Sequence, residues 1–97
     1  MSVNIHFTLR VDKLRSLDEA ASVREALAKI LREQGIEREV TLRKFREPIS
    51  VKATTGKWPL SVRRFGDWSK AFEREVTEAV RGVAPSAAVG LDWGYPD

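Results

Sequence analysis

The sequence predicts one α+β domain over residues 1–97, with two helices packed on one face of a four-stranded antiparallel sheet. Three observations predict it. Four stretches alternate apolar and polar residues, two longer ones repeat apolar residues every three or four positions, and 97 residues leave room for a single modest core.

The first strand is the clearest. Val3, Ile5, Phe7, Leu9 and Val11 alternate with Asn4, His6, Thr8, Arg10 and Asp12, so one face suits a core and the other stays polar. Ser16-Leu17-Asp18-Glu19 then has the spacing of a capping box, in which the serine hydroxyl takes a free backbone N–H and the glutamate reaches back. A helix over 17–34 follows, with Ala20, Val23, Leu27, Ile30 and Leu31 on one side and Gly35 at the left-handed position past its end. Val40 and Leu42, then Ile49, Val51 and Ala53, mark a hairpin around Arg46-Glu47-Pro48. The second helix is expected to begin after Asp67 as N-cap, with Trp68, Phe72, Val76, Ala79, Val80 and Val83 on its apolar side. Ala87, Val89, Leu91 and Trp93 make a short last strand.

The order β-α-β-β-α-β resembles the split βαβ, or ferredoxin-like, layout over nearly the whole chain. Packing helices on one side leaves the second sheet face open, and strand parity assigns to it His6, Arg10, Arg43, Phe45, Lys52 and Asp92 among others. This layout hosts many unrelated functions, so its residues must decide.

Composition removes several classes. Cysteine is absent and His6 stands alone, which excludes a disulfide framework, a thiol nucleophile and a His/Cys metal cluster; no cofactor is expected. No apolar run approaches the ~18 residues of a membrane span, and the start MSVNIHFTLRVDK lacks a charged-then-apolar leader, so the expectation is a cytoplasmic protein without membrane attachment. Known users of the layout fit poorly. Where RNA-recognition domains carry base-stacking aromatics on the third strand, this chain reads ISVKAT; where acylphosphatases need a glycine-bearing phosphate loop and an asparagine on the second strand, it offers VDKLRS and no such asparagine. His6 lacks partners for a catalytic triad. Glu75, inside the apolar arc of the second helix, is expected at its edge or facing a cation.

The charge is uneven. The net value is +3, yet Arg38 to Lys70 holds nine cations and three acids, net +6, leaving the rest net −3. Within it, Lys52 to Trp68 reads KATTGKWPLSVRRFGDW, a connection longer than the usual ~4 to 6 residues. Two readings follow. Either Trp58, Leu60, Val62 and Phe65 seal the core, with a short helical turn after Pro59, or Trp58 stands out among Lys57, Arg63 and Arg64 as an interface anchor.

The function this supports is a small non-enzymatic binding or regulatory domain. Arg43, Lys52, Lys57, Arg63 and Arg64 would hold an acidic partner, with Trp58 and Phe45 supplying contact area. A protein partner or self-association is expected ahead of nucleic acid, because +3 is weak for a polyanion binder. The rival class is a small-molecule-binding or enzymatic domain with a pocket on the open sheet face, completed by a dimer, using His6, Arg10 and Asp92.

Overall fold

The structure, a computed structural model, describes residues 2–95. Strand β1 (Ser2–Asp12) is its centre, and the predicted alternation holds: Ile5, Phe7, Leu9 and Val11 are buried. Helix α1 (Leu17–Glu33) starts at the capping box, where the Ser16 hydroxyl accepts from the Glu19 N–H at 3.1 Å. The Glu19 carboxylate reaches one residue beyond the cap, accepting from the Arg15 N–H at 3.0 Å and its guanidinium at 3.1 Å. At the other end Gly35 takes φ +72°, the Ile36 N–H donates to Leu31 O and the Gly35 N–H to Arg32 O, which together form a Schellman cap.

Strands β2 (Val40–Arg46) and β3 (Ile49–Thr55) form the expected hairpin, turning at Glu47-Pro48 through a cis peptide. Beyond it the structure departs from the four strands predicted. Residues Leu60–Arg63 form an additional strand, β4, in place of a helical turn after Pro59, so the antiparallel sheet has five strands. The cause lies in β1, which is 11 residues long while β3 is 7. β3 pairs with its Thr8–Val11 segment, and β4 pairs with Ser2–Ile5. β4 therefore satisfies backbone groups that β3 is too short to reach.

Helix α2 spans Phe65–Val83, starting two residues before the predicted Asp67 cap. Because β4 ends at Arg63, only Arg64 remains to turn the chain, and it does so in the left-handed conformation at φ 52°, ψ 52°. Asp67 sits instead in the first helical turn, where a carboxylate complements the helix dipole. The last strand, β5 (Ala88–Gly94), pairs with residues His6–Asp12 of β1. β3 and β5 share Thr8–Val11 as partner, so they lie on opposite edges of β1.

The helices cover the face that carries Phe7, Leu9, Val51 and Ala53. Six of the chain's eight aromatic rings meet in one cluster there: Phe7, Phe65, Trp68, Phe72, Trp93 and Tyr95, with centroids 5.0 to 6.2 Å apart. Trp93 thus packs inward, its indole N–H donating to Glu73 at 2.8 Å. Only Phe45 and Trp58 stand outside this cluster, and both are exposed. No helix among the described residues is long and apolar enough to cross a membrane.

Candidate functional site

The face away from the helices is a grid whose rows cross the strands. The two-residue turn at Glu47-Pro48 sets the hairpin register, placing Arg43 of β2 opposite Lys52 of β3. Lys52 in turn lies opposite Arg10 of β1, and Arg10 opposite Gly90 of β5. Three cations therefore stand side by side on adjacent strands about 4.8 Å apart. The neighbouring row is Thr41, Thr54, Thr8 and Asp92, uncharged except for its last member.

Like charges directly opposite one another oppose folding. Arg10 has one acid at hand, Asp12 at 3.0 Å. Among the described residues no other cation of this row forms an ion pair, nor does any of the nine cations between Arg38 and Lys70. The row thus holds more positive charge than its surroundings neutralise. Phe45 lies beside it on β2, 40% exposed, on the open face and not turned into the core. Two cavities flank the row and share Phe45 and Lys52. One, of about 180 Å³, adds Thr41, Arg43 and Thr54; the other, of about 220 Å³, adds Arg10, Glu47 and Ser50. Guanidinium, ammonium, hydroxyl and ring face are the groups that hold an anion bearing an apolar or planar part.

The loop after β3 divides between the two readings of the sequence. Leu60 and Val62 are buried and Phe65 is half-buried, so these three close the end of the core. Trp58 does not join them: it is 73% exposed, with the Lys57 ammonium 5.5 Å from its ring. Arg63 lies opposite Ser2 and so shares the open face, while Arg64 sits at the turn into α2. Both are exposed.

The three residues of the alternative pocket are divided. His6 and Asp92 line a third cavity of about 350 Å³ with Thr8, Thr54 and Thr55. Arg10 lies outside it, drawn to Asp12 and bordering the Phe45 cavity instead. The His6 Nδ1 bonds the Thr55 hydroxyl at 2.9 Å, and that hydroxyl also accepts from the Phe7 N–H at 3.2 Å. His6 is held in place by a strand end, and Asp92 faces Thr8 across the β1–β5 pairing.

Among the described residues Glu75 meets no cation. Its carboxylate accepts from the Gln34 amide at 3.3 Å, and the carbonyl of that amide accepts from the Trp68 indole at 3.1 Å. Ala71 and Val83 are exposed, so the buried stripe is narrower than the sequence implies and Glu75 sits at its border.

Strand parity places Arg10, Arg43 and Lys52, with Thr8 and Thr41, on the open face, but it does not align them into rows, and Thr54 was not among them. The Arg43 and Lys52 pairing was within reach, since a two-residue turn fixes it. The Lys52 and Arg10 pairing joins strands 42 residues apart and leaves no local signal.

No protein-family model matches the chain, and no curated protein sequence matches it. Among solved structures, the crystal structure of protein SP2199 from Streptococcus pneumoniae is similar, with a TM-score of 0.56 and 15% identity over 98% of this chain and 89% of that one. The likeness is one of fold. It supports the α+β architecture of two helices on an antiparallel sheet and says nothing of a partner.

Proposed function

We propose that the protein is a small non-enzymatic binding domain that grips an acidic partner, a protein segment ahead of nucleic acid, on its open sheet face. The observation that carries this reading is the row Arg43, Lys52 and Arg10, three cations on neighbouring strands with Asp12 as their one paired acid. A bound anion would remove the repulsion that the row creates. Lys57, Arg63 and Arg64 extend the positive field toward the loop, and the exposed rings of Trp58 and Phe45 are free to contact a partner.

The same reading treats the sheet as ferredoxin-like, with β3 and β4 as two halves of one interrupted strand. Its support is the register: β4 takes up β1 at Ile5, where β3 has ended beside Thr8, and both run antiparallel to it.

A second reading rests on the cavity of about 350 Å³ beside His6 and Asp92, which is large enough for a small molecule. One experiment separates the two. Backbone amide shifts are followed while an aspartate- and glutamate-rich peptide is added at low and at physiological salt, with a metabolite panel in parallel. Salt-sensitive shifts at Arg10, Arg43, Lys52 and Lys57 to Arg64 are expected with the peptide. Shifts centred on His6, Thr8 and Asp92 with one metabolite would transfer the function to the cavity.

A further inference from the structure

β2 and β5, two of the strands that pair with a single neighbour, are built differently. β2 carries Arg43, Lys44 and Arg46 within seven residues, the kind of charge that keeps an exposed edge from pairing with another strand. β5, Ala88-Val89-Gly90-Leu91-Asp92-Trp93-Gly94, has no lysine, arginine or proline, and Asp92 is its one charge. Among the described residues it pairs with β1 alone.

The pairing phase fixes which β5 groups face outward. The Phe7 N–H points to Thr55, so odd positions of β1 turn toward β3 and even positions toward β5. His6, Thr8 and Arg10 thus exchange hydrogen bonds with Gly94, Asp92 and Gly90. Val89, Leu91 and Trp93 direct their N–H and C=O groups away from the sheet. Two copies of this strand fit one another when placed antiparallel about Leu91. Leu91 then faces Leu91 of the second copy, Val89 faces Trp93 and Trp93 faces Val89, and every outward donor meets an outward acceptor. On the open face Asp92 falls opposite Gly90 of the second copy, so no like charges meet. On the helix side the half-buried Val89, Leu91 and Trp93 extend one core toward the other.

We propose that β5 is the interface of a symmetric homodimer in which two sheets join edge to edge, centred on Leu91. A two-fold axis perpendicular to the sheet keeps both open faces on one side, so the two cationic rows lie on a common surface. The inference is independent of what those rows bind.

Gly90 supplies the test. A Cβ there meets nothing within 4 Å, so the protomer accommodates a side chain. Gly90→Asp places a carboxylate opposite Asp92 of the second copy, twice by symmetry, and is expected to raise the dimer dissociation constant about tenfold. Gly90→Lys creates an opposite-charge pair there and should lower it. Within the protomer the signs reverse, because Arg10 lies opposite Gly90: aspartate should stabilise the dilute monomer and lysine weaken it. Sedimentation equilibrium over a dilution series reads the association. Hydrogen exchange at the Val89, Leu91 and Trp93 amides reads its location, with protection expected in concentrated protein and lost on dilution. A monomer at every concentration overturns the proposal and leaves the edge to another protein's strand. It is equally overturned by a dimer whose Leu91 amide exchanges freely, or one that both substitutions shift in the same direction.

Discussion

Gly35 is a residue whose role follows from one dihedral angle. At φ +72° it ends α1 in a conformation that a side chain resists, while the space around it is open. Gly35→Ala should therefore cost about 1 kcal/mol through the backbone alone, read as a lower midpoint in urea with an unchanged slope. Glu19 makes a different kind of prediction. Hydrogen bonds from the Arg15 N–H and guanidinium hold its carboxyl below the ordinary glutamate value, against a smaller opposing effect of desolvation. A depressed carboxylate adds stability that is present above its unfolded value and is lost as pH falls through the folded one. Glu19→Gln should accordingly be less stable than the parent at neutrality, and the gap should close as pH falls below the ordinary glutamate value. Both residues were legible in the sequence because caps are local: four consecutive letters define one and a single glycine the other.

The elements were readable to the extent that their partners are close in sequence. α1, the β2–β3 hairpin and the alternation of β1 follow from spacing within each segment. β4 does not. Leu60 and Val62 alternate with Ser61 and Arg63, but four residues after a proline give no signal by themselves, and the strand exists because Ser2–Ile5 requires a partner. Once β4 is placed, the early start of α2 follows, since Arg63 leaves a single residue for the turn. The helices are joined through side chains that sequence could not pair: Trp68 donates to Gln34 and Gln34 to Glu75. Gln34→Ala leaves the indole N–H and the half-buried carboxylate without that partner, an expected loss of about 1–3 kcal/mol in thermal or denaturant unfolding. In a double-mutant cycle with Trp68→Phe the losses should be less than additive, because either change removes the same bond. Additive losses would mean that the chain of bonds contributes nothing.

At the scale of the whole molecule, the cationic row sets stability against binding. Arg43, Lys52 and Arg10 come from three strands, and each pairing of like charges opposes the sheet that creates it. Replacing the central lysine by glutamate turns two repulsive pairs into two attractive ones. Lys52→Glu should thus raise the folding stability of the free protein, by about 1 kcal/mol for two half-exposed pairs after solvent screening. The gain should shrink as salt rises, since at physiological ionic strength the screening length is about 8 Å, comparable to the width of the row. The same substitution should abolish the salt-sensitive response to an acidic peptide. Thermal unfolding at low and high salt, run beside the peptide titration, distinguishes the alternatives. A more stable protein that no longer binds would identify the row as a surface kept unneutralised for a partner. A less stable one would mean that Lys52 is held by its aliphatic stem against Phe45 and the strand surface, with its charge incidental to the fold.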